Sequence, residues 1–130
     1  MSEFPKQPRV FVVDDEDVIA SSLAMILRFQ GGFHATSFTD PLKALKAAQA
    51  EAPDLLITDV GLPGLSGIRL AEAARVWRPD LPILIITGYV GKSLETLRLA
   101  PNIEVLRKPF TLDELAARVQ ALLKRAASAR

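Results

Sequence analysis

The sequence predicts one α/β domain in which a five-stranded parallel sheet is covered by helices on both faces. Short apolar runs alternate along its 130 residues with longer segments of helical periodicity, and this alternation is typical of parallel strands joined by helical crossovers. The apolar runs contain few polar residues, as expected for strands that are buried on both faces. A chain of this length usually folds as a single domain.

The first βα unit is predicted from a change of period. The segment RVFVV, from Arg9 to Val13, is rich in β-branched and aromatic residues and is predicted as a strand. The next segment places apolar residues at helical spacing, namely Ile19, Leu23, Ile26 and Leu27. The glycine pair Gly31 and Gly32 ends this helix, and FHATSF is predicted as a second, weaker strand.

The second and third helices are predicted from their start signals. Asp40 is an N-cap candidate and is followed by a proline at the first helical position. That helix continues through LKALKAAQAEA to Pro53, and LLIT is the third strand. Ser66 can cap GIRLAEAARVWR, which stops before Pro79.

The remaining elements are two strands and two helices. PILIIT and EVLR are predicted as the fourth and fifth strands, with a short helix in GKSLETLRLA between them. Thr111 and Glu114 have the spacing of a capping box for the last helix. Its apolar stripe runs from Leu112 to Ala126. The predicted organisation is an N-terminal extension at 1–8, the domain at 9–124 and a C-terminal tail at 125–130.

The composition excludes several functional classes. Hydrophobic residues make up 49% of the chain and charged residues 24%, so a packed core is expected and disorder is not. A net charge of +1 disfavours nucleic-acid binding. The absence of cysteine excludes thiolate catalysis, and a single histidine, His34, makes a histidine metal site improbable. Neither a signal peptide nor an apolar run of about 20 residues is present, so we expect a cytoplasmic protein without membrane contact.

Polar side chains follow the predicted strands at the points where these end. Asp14 and Asp15 follow the first strand, Asp59 the third, Thr87 ends the fourth and Lys108 follows the fifth. The carboxyl ends of parallel strands meet at one edge of a sheet. In a doubly wound sheet of flavodoxin-like order 2-1-3-4-5, strands one and three are neighbours at the point where strand order reverses. We therefore expect three carboxylates to converge there.

Three carboxylates in one cleft repel one another unless a counter-charge is present. Mg2+ is a hard cation that prefers oxygen ligands and commonly bridges carboxylates and phosphates. The expected cleft also contains a lysine ammonium and a threonine hydroxyl, which are suitable partners for phosphate oxygens. Because an ionised aspartate can itself accept a phosphoryl group, the residues predict Mg2+-dependent phosphoryl transfer to a carboxylate.

The chain resembles the receiver domains of bacterial two-component response regulators from about Arg9 to Leu123. The motifs that carry the resemblance are VVDDE, ITDVGLPGLSG, IIT and RKPF, in the order and spacing of that family. The resemblance implies roles that follow those motifs: Asp59 as phosphoacceptor, Asp15 and Asp59 as direct Mg2+ ligands, Asp14 as a ligand through water, the Gly61 backbone carbonyl as a further ligand, Thr87 and Lys108 as partners of the phosphoryl oxygens, and a cis peptide at Lys108-Pro109.

Two positions depart from the family pattern. Val105 occupies the position, three residues before the lysine, where the family usually has a switch aromatic. Tyr89, the only tyrosine, lies two residues after Thr87, and we expect it to take part in the switch instead. The combination of TGY with RKPF resembles the receivers attached to hybrid histidine kinases.

The predicted function is that of a phosphoacceptor receiver domain whose partners are a histidine kinase or histidine phosphotransfer protein and an output protein that the sequence does not name. Two alternatives remain at this stage. One is an aspartate-based phosphohydrolase, because DEDV contains a D-x-D pattern, although the usual following threonine is absent. The other is an adaptor that binds partners without phosphorylation. In the first case the chain would turn over a small phosphoester, whereas a receiver is not an enzyme beyond its own phosphorylation and dephosphorylation.

Overall fold

The computed structural model describes residues 7–62, 64–88 and 101–128. Five parallel strands form one sheet in the order β2-β1-β3-β4-β5. The strands are β1 (Arg9–Val13), β2 (His34–Phe38), β3 (Leu55–Asp59), β4 (Ile83–Thr87) and β5 (Ile103–Arg107). The predicted α/β class and strand order are both confirmed.

Four helices lie within the described residues: α1 (Asp17–Gly31), α2 (Pro41–Ala50), α3 (Gly67–Trp77) and α4 (Leu112–Ser128). The helix predicted in GKSLETLRLA falls outside them. The last helix continues to Ser128, into the segment predicted as a tail, whereas the domain bounds themselves stay a prediction. None of the helices in these described segments is long and apolar enough to cross a membrane.

The predicted helix starts are confirmed by hydrogen bonds. The Asp40 carboxylate accepts from the Leu42 amide at 2.9 Å, and the Ser66 hydroxyl accepts from the Arg69 amide at 3.2 Å. The capping box is complete, because the Glu114 amide donates to the Thr111 hydroxyl at 3.1 Å and the Thr111 amide donates to the Glu114 carboxylate at 3.2 Å. Each cap satisfies an amide that a helix leaves without an internal partner.

The sheet separates two apolar clusters. One lies under α1 and α4 and includes Leu27 and Leu122 together with Ile57 of β3. The other lies under α2 and α3 and includes Leu70 together with Ile85 of β4. Burying one such side chain stabilises a fold by roughly 1.5–3 kcal/mol. Because both faces of the central strands are covered in this way, polar side chains can reach solvent only where the strands end.

The structure corrects the predicted bounds by small amounts. Asp59 belongs to β3 as its last residue, whereas LLIT had ended one residue earlier. Its place is stabilised by pairing with Ile86 of β4. The phosphoacceptor candidate is therefore fixed by the sheet and does not depend on the loop after it.

Candidate functional site

The three carboxylates predicted to converge do so. Asp14 and Asp15 follow β1, Asp59 ends β3, and one oxygen of each lies within 4.8 Å of the others. The cause is the strand order, because β1 and β3 are direct neighbours in the sheet. The cluster therefore lies at the carboxyl edge, beside the reversal of strand order where open α/β sheets bind ligands.

Backbone hydrogen bonds continue past the strand ends and fix the residues of the site. The Asp14 amide donates to the Phe38 carbonyl at 3.1 Å, and the Val60 amide donates to the Ile86 carbonyl at 3.2 Å. The Lys108 amide donates to the Thr87 carbonyl at 2.8 Å. The chain thus leaves each strand in a direction that the neighbouring strand determines.

The two adjacent aspartates have different environments. Asp14 is 4% exposed, whereas Asp15 is exposed to solvent. Burial raises the pKa of Asp14, and the negative charges of Asp59 and Asp15 add to this effect. The Glu16 amide, which donates to Asp14 at 2.9 Å, and the Lys108 ammonium both act in the opposite direction.

A raised pKa means that ionised Asp14 destabilises the folded protein. The Asp14 carboxyl group contributes favourably to the free energy of unfolding below the ordinary Asp pKa of about 3.9. This contribution is lost as the pH rises through the folded-state pKa of Asp14. Without metal, Asp14→Asn should therefore raise the free energy of unfolding at neutral pH, by about 1 kcal/mol. The amide oxygen can still accept from Glu16.

Urea unfolding of wild type and Asp14→Asn at several pH values measures the difference between their free energies of unfolding. The advantage of Asp14→Asn should shrink as the pH is lowered, because the raised pKa lets wild-type Asp14 take up its proton at a higher pH in the folded than in the unfolded state. Asp40→Asn is the matched control, since asparagine caps a helix about as well as aspartate. An advantage that stayed constant across the pH range would contradict the electrostatic cause.

Lys108 supplies the nearby positive charge. Its ammonium lies 3.7 Å from the Asp59 carboxylate, and the Lys108 and Asp59 side chains are 39% and 17% exposed. The Lys108-Pro109 peptide is cis, as the resemblance implied. A half-exposed ion pair of this length is weak, so the ammonium can exchange Asp59 for another anion at little cost.

The other predicted site residues occupy distinct places. Thr87 ends β4 and is 2% exposed. Gly61 is exposed in the loop after β3, and an added Cβ would contact nothing within 4 Å. Val105 pairs with Ile85 and packs against the cluster under α2 and α3, so it contributes to the core. Tyr89 lies outside the described residues, and its predicted role stays a prediction.

The donor set fits a hard divalent cation. Three carboxylate oxygens lie within reach of one ion, and burial raises the pKa of Asp14, so a cation would stabilise its charged form. Oxygen-only donors that retain access to solvent are the kind of site that Mg2+ prefers. The predicted cofactor is therefore compatible with the residues present.

Thr58, one residue before Asp59, received no role from the sequence. It is fully buried, and its hydroxyl donates to the Asp59 carbonyl at 3.0 Å. The signal that could have revealed it is a hydroxyl-bearing residue at the end of the apolar run LLIT.

Fold and site together define a class of protein: doubly wound α/β domains with an acidic cluster and a lysine at the carboxyl edge of the sheet. Residues 10–120 match the family model of the response regulator receiver domain. The chain therefore belongs to the receiver domain family of two-component response regulators, as its motifs predicted. Domains of this family generally act in signalling and are not enzymes.

Curated relatives agree with this assignment. The probable transcriptional regulatory protein TcrX of Mycobacterium tuberculosis is 36% identical over 117 residues, which are 89% of this chain and 50% of the relative. The response regulator MprA of Mycobacterium ulcerans is 37% identical over 118 residues, covering 90% of this chain and 50% of MprA. The chain thus spans about half the length of these relatives.

Solved structures agree as well. A CheY-like receiver domain protein from Methanospirillum hungatei has a TM-score of 0.86 at 25% identity, covering 95% of this chain and 99% of that one. A putative response regulator from Chloroflexus aurantiacus has a TM-score of 0.81 at 33% identity, covering 92% and 100%. The resemblance to hybrid-kinase receivers stays a prediction.

Proposed function

We propose that this chain is a phosphorylation-controlled switch in which Asp59 accepts a phosphoryl group from a histidine kinase or histidine phosphotransfer protein. The observation that supports it best is the convergence of Asp14, Asp15 and Asp59 within 4.8 Å, with the Lys108 ammonium 3.7 Å from Asp59. An acidic cluster with one adjacent cation and a buried strand behind it suits a phosphoryl acceptor that depends on a metal.

In the proposed reaction, a carboxylate oxygen of Asp59 attacks the phosphorus of phosphohistidine. The new O–P bond forms as the P–N bond breaks, and the electron pair of that bond stays on the imidazole nitrogen, which then takes a proton. No histidine base is required, because the attacking carboxylate is already ionised. Mg2+ bound at the cluster would neutralise the carboxylates and the phosphoryl oxygens.

The chain supplies the ligands and donors for this reaction. Asp15, Asp59 and the Gly61 carbonyl would hold Mg2+ directly, and Asp14 would hold it through water. The Thr87 hydroxyl and the Lys108 ammonium would bind phosphoryl oxygens, where charge-assisted hydrogen bonds are strong.

We further propose a cytoplasmic protein that itself binds no nucleic acid or membrane, in keeping with its net charge of +1. The names of several relatives refer to transcription, but those proteins are about twice as long as the matched segment. Any contact with DNA is therefore assigned to a partner or to a segment other than this receiver.

The direct test is incubation with acetyl phosphate and Mg2+, followed by mass spectrometry. The proposal predicts one added phosphoryl group, mapped to the peptide that contains Asp59, and no uptake with excess chelator. Absence of uptake under both conditions would favour the adaptor alternative. Multiple turnover of a small phosphoester would favour the phosphohydrolase.

Lys108→Ala should impair switching more than uptake. The ammonium is 39% exposed, so its loss should slow uptake by only about tenfold, less than the loss of a fully desolvated donor. The chemical-shift changes of Thr87 and of residues 101–110 on phosphorylation should become clearly smaller, because alanine has no ammonium that could move from Asp59 to the phosphoryl group.

NMR spectra before and after phosphorylation measure this effect, with the exposed Lys43→Ala as the control. Shift changes of wild-type size in fully phosphorylated Lys108→Ala would contradict the proposed role. In that case Tyr89 becomes the first candidate for transmitting the change, as the sequence predicts for it.

A further inference from the structure

A buried hydroxyl lies directly behind the proposed phosphoacceptor. Thr58 is 0% exposed and stands in register between Val13 of β1 and Ile85 of β4. Its side chain therefore belongs to the apolar face covered by α2 and α3, where valine or isoleucine would fill the same space. A buried hydroxyl is costly unless it is hydrogen-bonded, and this one donates to the Asp59 carbonyl at 3.0 Å.

The first residue of α3 contacts the same carbonyl. A Cβ added to Gly67 would lie 2.0 Å from the Asp59 carbonyl oxygen, 2.8 Å from its carbon and 3.0 Å from the Thr58 hydroxyl. The Gly67 backbone therefore occupies the space that any side chain would need. The Asp59 carbonyl is held between a hydroxyl and the start of a helix.

The loop that follows is fixed at the next peptide. The Gly67 and Leu62 amides both donate to the Val60 carbonyl at 3.0 Å, and the Val60 amide donates to Ile86. Gly61 lies between these anchored residues. The Gly61 carbonyl shares a peptide with the Leu62 amide, so the bond from that amide to Val60 fixes its direction. Val60 in turn follows the Asp59–Val60 peptide, whose carbonyl accepts from the Thr58 hydroxyl.

We propose that Thr58 is a positioning residue: its hydroxyl fixes the Asp59–Val60 peptide so that the Asp59 carboxylate and the Gly61 carbonyl face one cation together. This inference rests on the proposed function, because it assigns to Thr58 the alignment of the Mg2+ ligands. If Thr58 served only as a β-branched residue of the strand, valine would replace it without loss. A positioning role requires the hydroxyl, so the two roles predict different effects of Thr58→Val.

The test compares Thr58→Val, which has the same shape without the hydroxyl, with Thr58→Ser, which retains the hydroxyl. Thr58→Val should weaken Mg2+ binding on the order of tenfold, at the lower end for groups that orient metal ligands. Thr58→Ser should stay close to wild type. Thr36→Val is the matched control, since Thr36 is exposed on β2, away from β3. Calorimetric titration with Mg2+ measures the affinities.

A second measurement needs no metal. In Mg2+-free protein, Thr58→Val should exchange the Gly67 and Leu62 amide protons faster than wild type, while the amides in the middle of β3 keep their protection. Thr58→Ser and Thr36→Val should leave these rates unchanged. A thermal midpoint close to that of wild type would show that valine has not disturbed the core.

The outcomes are distinguishable. If Thr58→Val binds Mg2+ as tightly as wild type, or if Thr58→Ser loses affinity to the same extent, the positioning role is wrong while the proposed function stands. If wild type itself neither binds Mg2+ nor takes up phosphate, the proposed function fails. Unchanged amide exchange in Thr58→Val would also overturn the inference.

Discussion

Asp59→Asn is expected to abolish phosphoryl uptake from acetyl phosphate. Asparagine has nearly the shape of aspartate, so the end of β3 and its pairing with Ile86 should persist. Its neutral amide, however, is a poor nucleophile, and the cluster loses one of its three negative charges. The mass gain seen in the wild-type protein with Mg2+ should fall to background in this variant.

Asp40→Asn is the control, because it makes the same chemical change at the helix cap of α2. It should take up phosphate as wild type does. Phosphoryl uptake by Asp59→Asn at the wild-type rate would show that another residue is the acceptor. The exposed Asp15 would then be the first residue to map, since it belongs to the same cluster.

The convergence of these residues could be predicted because it depends on two features that a sequence displays. Apolar runs mark the strands, and the polar residue that ends each run marks the carboxyl edge of a parallel sheet. Asp59 ends β3 and Lys108 follows β5, and these two strands are not adjacent in the sheet. Their side chains nevertheless lie 3.7 Å apart. The rule that the carboxyl ends of parallel strands meet at one edge of the sheet was sufficient to predict this contact.

The difference between Asp14 and Asp15 could not be predicted in the same way. Both are aspartates after the same strand, yet Asp14 is buried and accepts from the Glu16 amide whereas Asp15 is exposed, and the turn that produces this difference has no signature in the sequence. The contact between Thr58 and Gly67 depends on the path of the loop from β3 to α3, which periodicity does not encode.

Ion pairs between segments distant in the sequence could not be predicted from the sequence either. Glu104 of β5 forms ion pairs with Arg118 and Arg125 of α4. These partners are 14 and 21 residues away in the sequence. A list of charged residues cannot select one such pairing, because surface charges have many possible partners and each exposed pair contributes little.

Loss of the Asp15 charge should have the largest effect on Mg2+ affinity among the acidic residues other than Asp59. Asp15→Asn retains an oxygen but removes a charge from the proposed direct ligand. Because the residue is exposed, we expect about a quarter of the Coulomb energy between a carboxylate and a divalent cation about 4 Å apart at an effective dielectric of about 20, or roughly a 30-fold loss of affinity.

Asp14→Asn should lower the Mg2+ affinity less, because the proposed contact of Asp14 is through water and its Oδ1 already accepts from the Glu16 amide. Asp17→Asn removes the same charge from the first turn of α1, outside the acidic cluster. It should change the affinity only slightly. Calorimetry is the suitable measurement, since Trp77 lies at the far end of α3 from Asp59.

The order of the three affinities separates ligation from general electrostatics. If the field of nearby charge alone attracted Mg2+, all three substitutions would weaken binding by amounts that decrease gradually with distance from the cation, and Asp15→Asn would not stand apart. If Asp15 is a ligand, its substitution should stand apart from the other two, and the gap should persist at higher ionic strength because salt screens long-range attraction more than direct contact. Equal affinities in wild type and Asp15→Asn would show that the cation, where bound, does not contact Asp15.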